Sequence, residues 1–435
     1  MPPPEHCAPA IARACTSPDG WRGMLRFAGP GYLVAVGYMD PGNWATDLAG
    51  GSAYGYRLLW VIAMSSCMAV LLQILASRLG LVAGMDLAQA CRHRSPRLSA
   101  LAQWVLCEIA ICAADLAEVL GTAIALNLLF GLPLAWGVAL TVFDVLLVLV
   151  LQQRGYRRLE AFVISMVALV LCCFILMLLI SRPAWPDVAA GLVPYGPTMR
   201  DPSALYIAIG IIGATVMPHN LYLHSAAVRT RALDGSPQDL RRALRFIAID
   251  TVIALSLAFV INAAILITAA GVFFKAGRTD VAEIQEAYRL LSPLTGAAWA
   301  SVVFGVALLA SGQCSAVTAT LAGQVVMEGF LRTRLPPWLR RLATRCVAIV
   351  PALVVAILYA ERGIAQLLLA SQVILSLQLP FAAIPLVRST SSCALMREHV
   401  NPRWLAVLAW IAVAVIVSMN ATMLWMLAGS PAAGG

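Results

Sequence analysis

Long runs of apolar residues alternate along this chain with short stretches rich in proline, glycine and charge. A helix needs about 20 apolar residues to cross the hydrocarbon core of a bilayer. Eleven runs approach or exceed that length, and the stretches between them carry the turn and charge signals of loops. The pattern predicts spanning helices near residues 27–51, 56–80, 99–131, 133–152, 158–181, 204–228, 246–271, 296–330, 338–359, 363–387 and 404–428.

The first of these segments is interrupted by Asp40-Pro41-Gly42-Asn43. Pro41 removes a backbone donor, Gly42 adds an entropic cost, and Asp40 is an expensive charge at membrane depth. A helix is expected to break here. Non-helical backbone at this depth persists only where it faces protein or a water-filled cavity.

The sixth segment is interrupted in the same way by Met217-Pro218-His219-Asn220. Aligning the two prolines places Asp40 over Met217 and Asn43 over Asn220. Two independent proline kinks, packed by neighbouring helices, are the alternative interpretation. Paired breaks in two halves of a chain favour an ion-binding site between them, near the membrane midplane.

The two breaks are five helices apart. A repeat unit with an odd number of helices inverts its orientation in the membrane, so this offset predicts two inverted halves. The predicted organisation is a cytoplasmic tail at 1–26, a first half at 27–181, a second half at 204–389 and an appended helix at 404–428. The predicted fold class is an all-α polytopic membrane protein.

Composition supports this class, because 61% of the residues are hydrophobic and only 12% are charged. With the N-terminus inside, the inner segments carry 21 of the 30 lysines and arginines and the outer segments carry seven. This bias predicts a cytoplasmic N-terminus and an external C-terminus. The net charge of +9 is the same topological signal and gives no reason to expect nucleic-acid binding.

The eleven cysteines have no paired spacing, and phosphate-loop and His-Glu-x-x-His motifs are absent from the sequence.

The two interrupted stretches resemble the signature pair of the Nramp family. The resemblance covers residues 26–428 and includes 114–118 (Ala-Asp-Leu-Ala-Glu), 338–341 (Trp-Leu-Arg-Arg) and 371–373 (Ser-Gln-Val). It implies the LeuT-type fold with broken helices 1 and 6. It also implies a bacterial inner-membrane importer of divalent transition metals, with Mn²⁺ and Fe²⁺ as main substrates, Cd²⁺ and Co²⁺ as others, and protons co-transported by alternating access.

The side chains at the breaks suit such a cargo. Asp40 offers a hard anionic oxygen, Asn43 a neutral oxygen, and Ala214 a backbone carbonyl if the second helix unwinds there. The Met217 thioether is soft and favours Mn²⁺, Fe²⁺, Co²⁺ and Cd²⁺ over Mg²⁺ and Ca²⁺; a gap-filling core methionine is the alternative. The metal ligands of the family fall on these four positions, and the resemblance implies that Gln372 is a further ligand in some conformations. Gln73 is a candidate for the surrounding shell.

Three carboxylates lie on one face of the third segment, because Glu108, Asp115 and Glu118 are seven and three residues apart. They are costly in a membrane unless they line water or meet cations, and arginines at the start of the ninth segment are available to pair with two of them. The resemblance implies a proton exit route through these acids and the pair Arg340 and Arg341. Static salt bridges that only hold the helices together are the alternative.

Two histidines follow the second break. Histidine titrates in the physiological range, and the resemblance places a proton-linked role near His219. We expect Asp40 to belong to the proton pathway as well as to the metal site. His224 is expected to be a hydrogen-bonded structural residue.

Three rival functions make different demands on the sequence. A Na⁺-coupled amino-acid transporter of the same fold would receive a substrate carboxylate, which Asp40 would repel. A magnesium-selective relative should replace the Met217 thioether. A membrane-embedded metalloenzyme needs a general base beside an open metal position. We therefore expect a transporter and not an enzyme, without a resident cofactor. Its expected partners are a metal ion, protons and the lipid bilayer. The oligomeric state is left open, with a monomer as one possibility.

Overall fold

The computed structural model describes residues 28–143, 156–231, 237–281, 283–332, 336–358 and 360–429. These residues form helices and no β-strand. The helices are α1 (Pro30–Ala35), α2 (Pro41–Tyr54), α3 (Leu59–Ala83), α4 (Leu87–Arg94), α5 (Arg97–Phe130), α6 (Leu134–Leu140), α7 (Tyr156–Ser181), α8 (Trp185–Gly191), α9 (Pro202–Thr215), α10 (Pro218–Ala227), α11 (Pro237–Ala269), α12 (Ile284–Thr295), α13 (Ala300–Leu331), α14 (Pro337–Leu358), α15 (Ala360–Thr390), α16 (Cys393–Met396) and α17 (Arg403–Gly429).

Eight helical stretches within these ranges are long and apolar enough to cross a membrane. One of them, Pro41–Ala83, contains the later part of the first predicted segment and all of the second. Shorter apolar helices at Leu134–Phe143 and Leu342–Val354 lie where the fourth and ninth segments were expected. The all-α, polytopic fold class is confirmed. The tail expected at 1–26 and the later part of the fourth segment lie outside the described residues.

The second half of the first broken helix, α2, lies in the centre of the bundle. Its Trp44 ring is 4.9 Å from the ring of Phe174 on α7 and 5.1 Å from that of Phe304 on α13, and both contacts are edge-on. Such aromatic pairs contribute roughly 0.5–1.5 kcal/mol each beyond the area they bury. They hold α2 in place just beyond the break.

Glycines allow the broken helices to approach their neighbours closely. A Cβ atom at Gly121 of α5 would lie only 2.1 Å from the Cβ atom of Pro41, so the backbone of α5 touches the first break. A Cβ atom at Gly37 would lie 2.1 Å from Nδ2 of Asn220 on α10. Larger residues at these two positions would separate the two breaks from each other and from α5.

A buried ionic group holds the start of α1. The Asp250 carboxylate on α11 accepts hydrogen bonds from the N–H groups of Gly29 at 3.2 Å and Gly31 at 2.7 Å. Nη2 of Arg231 donates to the carbonyl oxygen of Ala28 at 2.9 Å and to Glu160 on α7 at 2.5 Å. We call Asp250, Arg231 and Glu160 the α1 latch. It joins the beginning of the first broken helix to two other helices and to the segment that follows α10.

Candidate metal-binding site

The first break is centred on Asp40. A residue before proline is pushed out of the helical region, and Asp40 has an extended backbone with φ −65° and ψ 164°. Its Oδ1 accepts hydrogen bonds from the backbone N–H and from the side-chain amide of Asn43, both at 2.8 Å. Asp40 therefore caps α2, with its negative charge at the positive end of that helix.

The second break repeats this geometry. Met217 precedes Pro218 and is also extended, with φ −68° and ψ 119°. Pro218 has no N–H to donate to the carbonyl of Ala214, the oxygen it would otherwise bond in a continuous helix. That oxygen accepts instead from Nδ2 of Asn43 at 3.2 Å. A hydrogen bond thus joins the two breaks through two of the expected ligand residues.

All five residues expected to hold the metal lie in this junction. Asp40, Asn43, Ala214, Met217 and Gln372 are each no more than 2% exposed. The Met217 side chain packs with Ala110, Ala114 and Leu375, and its sulfur lies 3.6 Å from Nδ2 of Asn220. Gln372 reaches the first break at Gly42, where a Cβ atom would lie 1.8 Å from its Nε2.

Several oxygen atoms at the junction have no hydrogen-bond donor within the described residues. They are Oδ2 of Asp40, Oδ1 of Asn220 and Oε1 of Gln372, and all three are buried. Buried acceptors without a donor are costly unless water or a cation satisfies them. The described residues contain no group of three or more histidine, cysteine or acidic side chains that could hold a metal ion. That is consistent with a site built from one carboxylate, amides, a carbonyl and a thioether.

Asn262 on α11 fixes the other side of the first break, and sequence analysis missed it. Its Nδ2 donates to the carbonyl oxygen of Tyr38 at 2.8 Å and to Oδ1 of Asn43 at 3.3 Å. The next carbonyl, that of Met39, accepts from Nε1 of Trp44 at 3.2 Å and from the hydroxyl of Ser311. The available signal was an amide side chain in the middle of an apolar segment.

Gln73 and the two histidines have separate positions. Gln73 donates through Nε2 to the Tyr38 hydroxyl at 2.8 Å, and its Oε1 lies 2.9 Å from Nδ1 of His224. Gln73 therefore links the Tyr38 hydroxyl to the His224 ring, and both residues help to fix the position of Tyr38. His219 directly follows Pro218 at the start of α10 and is 2% exposed.

The carboxylates of α5 meet two arginines of α14. Both oxygens of Glu108 accept from Nη2 of Arg340, at 3.0 and 2.9 Å. Glu118 pairs with Arg345 at 3.4 Å, and Nη1 of Arg345 also donates to the carbonyl of Asp115 at 3.3 Å. Arg345 is fully buried and was not among the residues expected here. The side chain of Arg341, which was expected, lies outside the described residues.

Sequence analysis also missed Asp47 on α2. It lies two helical turns beyond Asp40 and is 1% exposed, and its Oδ2 has no hydrogen-bond donor within the described residues. The signal was visible, because Asp47 is a second carboxylate within the first apolar segment. When Pro41 is aligned with Pro218, Asp47 falls over His224, so the comparison of the two breaks showed no matching acid.

Residues 31–426 match the model of the natural resistance-associated macrophage protein-like family, Nramp. A divalent metal cation transporter, MntH, from Nostoc sp. is 57% identical over 430 residues, which are 98% of this chain and 97% of the relative. The MntH protein of Xanthomonas campestris pv. campestris is 58% identical over 405 residues, covering 93% of this chain and 91% of the relative.

The fold has counterparts among solved structures. A crystal structure of a variant of the Eremococcus coleocola manganese transporter superposes with a TM-score of 0.88 at 40% identity, covering 98% of this chain and 92% of the other.

Proposed function

The chain belongs to the Nramp family and is a multi-pass membrane transporter of divalent metal cations, and on that premise we propose how it binds its cargo. The proposed metal ligands are the Asp40 carboxylate, the Asn43 amide oxygen, the Ala214 carbonyl and the Met217 sulfur. Gln372 is proposed to join them in some conformations. The proposed substrates are Mn²⁺ and Fe²⁺, together with Cd²⁺ and Co²⁺.

One observation carries this proposal. Two proline-broken helices meet in the buried centre of the bundle, where Asn43 is bonded to the Ala214 carbonyl and Oδ2 of Asp40 has no donor within the described residues. Dehydrating a divalent cation needs a compensating negative charge. Asp40 is the acidic side chain at the junction and supplies that charge from a fixed position.

Asp40→Asn is the direct test. It preserves the size of the side chain and removes its charge, so we expect Mn²⁺ binding in calorimetry and Mn²⁺ uptake into proteoliposomes to fall below detection. Asp47→Asn is the matched control, because it removes a buried carboxylate from the same helix two turns away. Near-normal uptake by Asp40→Asn would refute the site, and equal losses in both variants would show that any buried charge on α2 is needed.

We further propose that protons move with the metal. The proposed route begins at Asp40 and His219 and continues along Asp115 and Glu118 of α5 toward Glu108, Arg340 and Arg341. Contact between Gly121 and Pro41 places α5 against the first break, one turn from Glu118. The pairs Glu118–Arg345 and Glu108–Arg340 place a buried acid and a partly buried acid along this side of α5. Protonation of either acid would leave its arginine without a counter-charge, so the proton is expected to pass on rather than stay.

The proposed location is the inner membrane, with the N-terminus in the cytoplasm and the C-terminus outside. The distribution of arginines between the loops supports this orientation. In this orientation the α1 latch lies on the cytoplasmic side, and opening it would release cargo into the cell. The two inverted halves at 27–181 and 204–389, with an added helix at 404–428, are the proposed moving units.

A further inference from the structure

A basic cavity lies beside the ends of three helices, away from the metal site. Its volume is about 540 Å³, and it is formed between α4, the start of α5 and the end of α13. Arg92, His93, Arg97 and Arg332 supply its polar lining. Its apolar lining comes from Ala100, Leu101, Phe330 and Leu331. A cavity of this size suits a small molecule or part of a lipid.

Acidic side chains of the described residues balance the positive charges in this cavity only in part. Nη1 of Arg92 donates to the backbone carbonyl of Gly329 at 2.7 Å. Burial lowers the pKa of Arg92 most, the nearby Arg332 guanidinium lowers it further, and the Asp86 carboxylate raises it. Two like charges therefore lie close together, with one acid near Arg92. The side chains of Arg97 and Arg332 form no ion pair with any acidic side chain of the described residues. An anion would relieve this repulsion.

Arg332 is also held in an unusual backbone conformation. It ends α13 with φ 59°, in the left-handed region that glycine usually occupies at this position. An arginine there accepts a steric cost that glycine would avoid. The conformation fixes where its side chain leaves the helix, beside the cavity.

An apolar stripe leads from the cavity along the outside of α5. Leu98, Leu101, Val105 and Ile109 recur every three or four residues and are 80%, 46%, 43% and 50% exposed. Such a stripe on a spanning helix faces the hydrocarbon of the bilayer. Leu101 belongs to both the cavity and the stripe, so the positive charges adjoin the path that an acyl chain would follow.

We propose that this cavity binds the headgroup of an anionic phospholipid, with the phosphate between Arg92, Arg97 and Arg332 and one acyl chain along Leu101, Val105 and Ile109. Basic pockets between spanning helices on the cytoplasmic side are suited to anionic headgroups. A soluble phosphate would use the same charges but would gain nothing from the stripe. The charge and the adjoining apolar track together select a lipid.

One residue that lines the cavity also contacts a helix that belongs to the metal site. Phe330 lines the cavity, and its ring lies 5.9 Å from the ring of Tyr222 on α10. The same helix begins at Pro218 of the second break. A bound lipid therefore packs on the helix end that supports α10.

The test uses the purified full-length chain in a neutral detergent, with thermal unfolding followed during titration with dioleoyl phosphatidylglycerol. Each basic residue near an anionic headgroup is worth roughly fivefold in affinity, so R97Q/R332Q should need roughly 30-fold more lipid for half of the thermal shift. R97K/R332K should retain most of the affinity. R397Q/R403Q is the matched control, because both residues are exposed arginines outside the cavity and Arg397 also has a positive φ, of 48°.

Three outcomes would overturn the proposal. Equal losses in the cavity variant and the R397Q/R403Q control would indicate diffuse surface charge. An equal thermal shift with dioleoyl phosphatidylcholine would indicate binding by acyl chains alone. An equal shift with inorganic phosphate would make the occupant a soluble anion. If the double variant does not fold, R97Q and R332Q singly should each weaken phosphatidylglycerol binding roughly fivefold, and no change in either would equally refute the site.

Discussion

Replacing Asp250 by asparagine should release the start of α1. The carboxylate holds the N–H groups of Gly29 and Gly31 at 3.2 and 2.7 Å. A hydrogen bond to a charged group contributes about 1.5–3 kcal/mol, and a neutral one about 1 kcal/mol. Asparagine keeps one acceptor oxygen but turns an NH₂ group toward the other donor. We therefore expect the free energy that favours the closed latch over the released state to fall by about 3 kcal/mol.

A loss of about 3 kcal/mol corresponds to a roughly 150-fold larger population of the released state. Hydrogen–deuterium exchange read by mass spectrometry measures this directly, because the N–H of Gly31 exchanges only when the bond to Asp250 is broken. Peptides that cover residues 28–36 should exchange faster by up to that factor. Arg231 still holds the carbonyl of Ala28, so the increase should be largest at Gly31 and smaller toward the chain start.

Asp86→Asn is the control for this experiment. Asp86 is also a buried acid on the proposed cytoplasmic side, and it accepts from the N–H of Gln89 at 2.8 Å at the start of α4. Its replacement should leave exchange at 28–36 unchanged. Parental exchange of these peptides in Asp250→Asn would show that the carboxylate does not hold α1, and similar acceleration in both variants would point to general loosening.

Three further predictions concern selectivity, proton movement and pH. Met217→Ala should weaken Cd²⁺ uptake most and retain part of the Mn²⁺ uptake, because the soft ligand is lost while oxygen ligands remain. Ca²⁺ should then begin to compete for uptake. Unchanged discrimination against Ca²⁺ would mean that the sulfur only packs the core. Glu118→Gln should reduce acidification inside proteoliposomes more than Mn²⁺ binding, and equal losses would indicate a structural role. Burial raises the pKa of Asp86, although the N–H of Gln89 and the Arg229 guanidinium oppose this. The folded state then binds the proton more tightly than the unfolded state. The thermal midpoint should therefore rise as the pH falls through the raised pKa toward 3.8, and Asp86→Asn should not show this rise.

The helix breaks could be read from the sequence because their cause is local. Pro41 and Pro218 each lack an N–H and push the preceding residue out of the helical region, whatever surrounds them. Asp40 and Met217 accordingly have the same extended backbone in the structure. Alignment of the two prolines was sufficient to place both ends of the candidate site.

The partners of those residues depend on packing between distant segments. Asn262 reaches Tyr38 across 224 positions of the chain, and Arg345 reaches Glu118 across 227. Neither distance follows from helical periodicity. The arginines expected opposite the α5 acids came from the family motif, which ends at Arg341, whereas the helix carries Arg345 one turn further into the bundle.

The latch was missed for a related reason. Its acceptors and donors include backbone groups at Gly29, Gly31 and Ala28, and backbone groups have no signature in a sequence. A charged residue inside an apolar segment was the available clue at Asp250. The clue identifies a residue that needs a partner but not the partner itself.

The carbonyl groups freed at the first break bear on how much water an ion must give up. Trp44 and Ser311 both donate to the oxygen of Met39, so its two lone pairs are taken. The oxygens of Tyr38, Asn43 and Ala214 each accept one hydrogen bond and keep one lone pair. On the proposed ligand set, the protein therefore offers an ion few oxygen atoms and one sulfur. Ca²⁺ is usually surrounded by six to eight oxygens, so it would have to retain much of its hydration shell in a space closed to solvent. A low coordination number would then discriminate against large, strongly oxygen-seeking cations independently of the softness of the sulfur.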